Sequence, residues 1–200
     1  MTIAEKITRA KTDYDEVYEA GKKTEYDAFW DTFQQNGTRT NYSYGFYNAW
    51  SDAIYNPKYP IIVKANNTLN STFAYAKMTD TKVDIQVISP ARVGGTFYNC
   101  STIVTIRKLI VDERVTYTAD AFMNCSALKN ITFEGTIGNT INFQWSPLTK
   151  ESIQNIIEHL SPSTSNMTLT LKKSAKEAAF TADEWEILVE TKPNWEIVLV

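Results

Sequence analysis

The chain has 200 residues, 43% of them apolar, and a net charge of −3. That is enough apolar material for a sizeable core. Acids and bases are mixed without a Lys or Arg block, which argues against a nucleic-acid surface, and without a run of about 18 apolar residues no membrane insertion is expected.

The N-terminus, Met1 to Ile7, is charged and helical in character, with no apolar signal-peptide core. Ordinary secretion is therefore not expected. Residues 1–36 read as a helical segment. Ile3, Ile7, Ala10, Tyr14, Val17 and Gly21 are spaced alternately by four and three, a short heptad seam. Tyr26, Phe29, Trp30 and Phe33 form a second, aromatic face, and Asn36-Gly37 ends it. The segment is either a cap over one end of the fold or an oligomerisation stem for two or three copies.

Residues 37–66 have little periodicity and many aromatics. Tyr42, Tyr44, Tyr47 and Trp50 are the candidate ligand-binding residues, because rings stack on sugar faces while phenol and indole tips bind hydroxyls. The alternative is that this segment shields an open end of the fold.

Residues 67–200 contain a repeat. Gly95-Thr96-Phe97-Tyr98-Asn99-Cys100-Ser101 recurs 25 residues later as Asp120-Ala121-Phe122-Met123-Asn124-Cys125-Ser126, and a weaker copy starts at Thr72-Phe73. A period of about 20–29 residues is the mark of a leucine-rich-repeat solenoid. Phe97 with Phe122, Cys100 with Cys125, Ile103 with Leu128 and Ile106 with Ile131 should then form buried ladders. Strand-like runs follow at 83–88, 107–111 and 130–133. The second is out of step by about one residue, which predicts a bulge or a shifted turn. The Asn-x-Ser/Thr sites at Asn99 and Asn124 read as turn positions rather than glycan acceptors.

After Gly135 the order strand, helix, strand, helix, strand is expected. A strand covers 140–145 and a helix begins at Thr149 with Ile153, Ile156, Ile157 and Leu160 buried. A strand at 167–171 follows, then a short helix or turn at 174–180, a helix opened by the Thr181/Glu184 capping box, and a last strand at 195–200. The fold class expected is an α/β solenoid: a short leucine-rich-repeat stack with an N-terminal helical segment and a βαβ-type C-terminal cap.

The Phe-x-Asn-Cys-Ser-x-Leu/Ile-x-x-Ile units resemble the BspA-type leucine-rich repeats of bacteria and their phages. The ending from Ser146-Pro147-Leu148-Thr149 to Trp195-Glu196-Ile197, and the segment from Tyr18 to Trp30, look like parts of such proteins from gut Firmicutes and prophages. The resemblance implies adhesion, host-surface binding or a place in a phage tail.

No catalytic constellation is visible. The one histidine, His159, has no second histidine or placed carboxylate beside it in the sequence pattern. Cys100 and Cys125 read as small core residues, although a disulfide between them is conceivable. Val93-Gly94-Gly95-Thr96 lacks the lysine of a phosphate loop. Asp80, Asp84, Asp112 and Glu113 lack calcium-loop spacing. The expectation is a non-catalytic structural or binding protein without metal or organic cofactor. Its reading is a phage or prophage tail or fibre component, in the virion or in the cytoplasm before lysis, with other virion proteins and a surface protein or glycan as partners. The alternative is a bacterial surface adhesin or carbohydrate-binding module.

Overall fold

A computed structural model describes residues 61–63, 68–88 and 91–200 of the chain. The expected helical segment 1–36, its heptad stem, and all but three residues of the 37–66 aromatic segment, including Tyr42, Tyr44, Tyr47 and Trp50, lie outside the described residues.

Nine strands and three helices are described. The strands are β1 (Ile61–Val63), β2 (Asp80–Val87), β3 (Arg92–Val93), β4 (Thr105–Val111), β5 (Thr116–Tyr117), β6 (Asn130–Gly135), β7 (Ile141–Phe143), β8 (Met167–Leu171) and β9 (Trp195–Leu199). The helices are α1 (Lys150–Glu158), α2 (Lys173–Ala179) and α3 (Ala182–Glu190). All pairings are parallel. They fall into a four-stranded sheet ordered β1-β2-β4-β6, a two-stranded sheet β3-β5 and a three-stranded sheet β7-β8-β9.

The expected α/β solenoid, a short leucine-rich-repeat stack, is corrected by this arrangement. The strands do not form one continuous ladder; the main sheet curls as a parallel half-barrel accompanied by three helices and several short strands. Two local causes can be named. First, the period aligns neighbours only: Ile106 faces Ile131 and Thr81 in register, but both pairings then shift by one residue, between Thr81 and Asp84 and between Ile106 and Leu109. The irregularity expected near Arg107 is therefore present, and a second lies in β2 between Thr81 and Asp84; such shifts bend and twist the strands that carry them. Second, among the described residues no strand follows on the open edge of β6. Helix α1 takes that edge with its side chains: the Ile131 N–H donates to Ser152 Oγ at 3.0 Å and the Phe133 N–H to Asn155 Oδ1 at 2.6 Å. Ladder groups that a further strand would have bonded are thus satisfied by two polar residues of a helix. The strand also ends sharply at Gly135, whose φ is +90° and whose Cβ, if present, would lie 2.0 Å from the Val111 carbonyl oxygen.

The core runs along the inner face of the main sheet. Ile85, Leu109 and Phe133 sit in register there, and Phe97, Cys100, Ile103, Phe122, Cys125, Leu128 and Ile131 are all buried as their repeat equivalence predicts. Helix α1 starts at Thr149, whose hydroxyl accepts the Ser152 N–H, and buries Ile153, Ile156 and Ile157. Its C-terminal end is held by Lys192, whose Nζ donates to the Glu158 and Leu160 carbonyls at 2.9 and 2.7 Å. Partial burial lowers the pKa of that lysine. The Thr181/Glu184 capping box opens α3 as predicted.

Candidate functional site

The repeat turns stack into an edge beside the main sheet. Beneath it runs a ladder of four buried rings. Phe73 and Phe97 stack at 5.2 Å, Phe97 and Phe122 at 5.7 Å, and Phe122 meets Phe143 at 4.5 Å. The turns are tied by backbone bonds: the Phe73 N–H donates to the Thr96 carbonyl, Tyr75 to Tyr98, Phe97 to Ala121 and Asn99 to Met123, all at 2.8–2.9 Å. The thiols assist. Cys100 Sγ donates to the Phe73 carbonyl and Cys125 Sγ to the Phe97 carbonyl. Ser146, three residues after Phe143 as each cysteine is three after its phenylalanine, donates its hydroxyl to the Cys125 carbonyl. Both cysteines are free thiols. Burial pushes the Cys100 thiol up to about 12 and that of Cys125 well above its ordinary value.

Outside the rings the edge presents a row of larger polar and aromatic groups. Tyr75, Asn99 and Asn124, each two residues after a ladder phenylalanine, have φ of +62°, +57° and +59°. Asparagine tolerates this left-handed conformation; for tyrosine it costs about 1–2 kcal/mol. Tyr75 is nevertheless 41% exposed and meets the Tyr98 ring edge-on at 5.4 Å. Asn124 Nδ2 donates to Asn99 Oδ1 at 2.6 Å, so the two amides are fixed relative to one another. Trp145, half-buried, occupies the same place relative to Phe143. The edge thus offers ring faces and oriented amide groups on a rigid base, the combination that binds sugars or the side chains of another protein.

The remaining candidates make local contacts within the fold. His159 ends α1, with Nδ1 2.7 Å from the Asn155 carbonyl. Asp84 pairs with Arg107 at 3.0 Å, Asp112 accepts from the Arg114 N–H, and Glu113 accepts from the Ser161 hydroxyl at 2.6 Å. Among the described residues no three His, Cys, Asp or Glu groups gather to hold a metal. Gly95 sits in a turn at φ +55°, as read from the sequence. On the helical side, Lys150 bonds Glu184 at 2.7 Å and lies over the Phe180 ring, and Lys176 lies over Trp185. The Lys150 ammonium, with the Thr181 N–H, holds the Glu184 carboxyl down at about 2. Shallow grooves of about 480 and about 530 Å³ flank α2; Ala175 and Ala179 floor the first, and Trp145 and Lys172 border the second. No helix among the described residues is long and apolar enough to cross a membrane.

Sequence reasoning missed Tyr75 and Tyr98 as a pair, and Phe143 as the fourth ring. The signal was there: Tyr75 stands where the two better copies carry asparagine, and Phe143-Gln144-Trp145-Ser146 repeats the phenylalanine-to-small-residue spacing at an interval of 21 instead of 25. No protein-family model, curated protein or solved structure matches this chain.

Proposed function

We propose that this chain is a non-catalytic structural and binding protein, a tail or fibre component of a phage or prophage particle, which engages a glycan or protein on a cell surface through the edge bearing Tyr75, Tyr98, Asn99 and Asn124. One observation carries the recognition part. Tyr75 holds a conformation that asparagine would hold at less cost, and it does so on the surface, against a second tyrosine. Strain kept at an exposed aromatic points to use rather than packing. The particle assignment is supported by the resemblance of the Phe-x-Asn-Cys-Ser units to repeats of phages and their hosts. The aromatic residues Tyr42, Tyr44, Tyr47 and Trp50 extend the same proposal to residues 37–66.

Binding of the full chain to cell envelopes of a Gram-positive gut bacterium, with and without prior removal of surface polysaccharide, tests the reading. Tyr75→Asn and Tyr98→Ala should each weaken binding about tenfold, the loss of one stacked ring, while leaving the fold intact. Envelope binding that neither substitution changes, or turnover of the bound polymer by the purified chain, refutes it.

A further inference from the structure

Strand β9 is the outer strand of its sheet: among the described residues it pairs with β8 alone. The Val200 N–H donates to the Leu171 carbonyl at 3.0 Å, and the Val200 carbonyl accepts from the Lys173 N–H at 2.7 Å. In a parallel ladder one residue turns both its peptide groups the same way, and its neighbours turn theirs the other way. Glu196, Val198 and Val200 therefore face β8, and Trp195, Ile197 and Leu199 face outward. The Trp195 N–H is used by the Lys192 carbonyl at 3.0 Å. The peptide groups of Ile197 and Leu199, and the carbonyl of Trp195, have no such partner among the described residues.

Natural edge strands are defended by lysine, proline, a bulge or a covering element. Between Trp195 and Leu199 the only charge is Glu196, there is no proline, and the pairing with β8 is unbroken over five residues. Beyond Trp195 the side chains on both faces of β9 are partly exposed.

We infer that β9 pairs antiparallel with β9 of a second copy of this chain, joining two three-stranded sheets across a two-fold axis that runs between the two Ile197 residues. The register follows from which groups are free. Ile197 faces Ile197 of the second copy, and their two N–H groups donate to each other's carbonyls. The Leu199 N–H of each copy donates to the free Trp195 carbonyl of the other. On the inner face Trp195 lies opposite Leu199. On the outer face Glu196 lies opposite Val198, so no charge meets a like charge. An axis perpendicular to the sheet keeps each copy's buried face on the same side, as a shared core requires. The interface is isologous and closes at two.

Light scattering of the full chain, from micromolar to submillimolar concentration, tests this together with amide hydrogen exchange. The expected result is a reversible dimer in which the Ile197 and Leu199 amides gain protection as concentration rises. Val198→Glu sets a carboxylate opposite Glu196 twice per dimer and should weaken association about tenfold. Adding Glu196→Lys to it turns both oppositions into ion pairs and should restore association. A chain that stays monomeric at every concentration overturns the proposal. So does a dimer whose Ile197 and Leu199 amides exchange no more slowly, or one that Val198→Glu leaves unchanged. Failure of the double substitution to recover association refutes the register.

Discussion

Phe122→Ala is the sharpest test of what holds the stacked turns together. Phe122 is fully buried, with Phe97 at 5.7 Å on one side and Phe143 at 4.5 Å on the other. Truncating a core phenylalanine costs about 3–5 kcal/mol through lost transfer energy and the cavity left behind. Two ring contacts vanish as well, each worth about 0.5–1.5 kcal/mol beyond the buried area. The neighbours on either side are tied by backbone bonds from Phe97 to Ala121 and from Asn99 to Met123, so the cavity cannot readily collapse. The loss should sit near the top of the range, about 4–5 kcal/mol. With a urea dependence of about 2 kcal/mol per molar, the unfolding midpoint falls by about 2 M. Phe122→Leu keeps most of the volume and should cost under about 2 kcal/mol. Because Phe97 and Phe122 touch, the double change Phe97→Ala/Phe122→Ala should deviate from additivity by more than about 0.5 kcal/mol. Urea titrations followed by circular dichroism measure the wild-type chain and the four variants, Phe97→Ala included. A Phe122→Ala loss below about 1.5 kcal/mol, or strict additivity with Phe97→Ala, would contradict the stacked-ring account.

Two further outcomes concern the titrating groups. The Glu184 carboxyl is held at about 2, below its ordinary 4.5, by Lys150 and the Thr181 N–H. A depressed carboxylate adds stability above its unfolded pKa and loses it as pH falls toward the folded one, so the gap between the wild-type chain and Glu184→Gln should be constant near neutrality and shrink between pH 4.5 and about 2. Carboxyl NMR shifts check the cause: Lys150→Gln should move the Glu184 midpoint upward, and an unmoved midpoint would exclude the ion pair. Buried as thiols with pKa values well above the ordinary 9.0, Cys100 and Cys125 should resist a thiol-specific reagent at pH 8 in the folded protein and react with it at once in denaturant; rapid reaction of the folded chain would show that the turns open readily.

Much of the candidate edge was legible in the chain, because its base is periodic. A 25-residue interval places Phe97 on Phe122 and Cys100 on Cys125, and the one-residue offset of Arg107 to Val111 announces the register shift. The start of α1 at Thr149 and the capping box of α3 are written in local residues whose side chains bond backbone only three positions away. What sits on top of the base was less legible. Tyr75 and Tyr98 meet only because successive turns are hydrogen-bonded, and they occupy unequal positions in their copies of the motif.

The chain by itself determined which repeat residues are buried, where α1 and α3 start, and which repeat units lie side by side, since periodicity and capping act between near or equivalent positions. The tertiary structure alone decided how the strands are shared out. Ser152 and Asn155 close the edge of β6, and nothing in their spacing reveals that they will answer the Ile131 and Phe133 N–H groups some twenty residues earlier. That choice, made by which donors remain unsatisfied once the helix packs, ends the main sheet at β6 among the described residues and replaces the expected leucine-rich-repeat stack with a curled half-barrel and a separate three-stranded sheet. A repeat dictates pairing between neighbours; where the pairing ends is settled by hydrogen-bonding groups that must find partners in space.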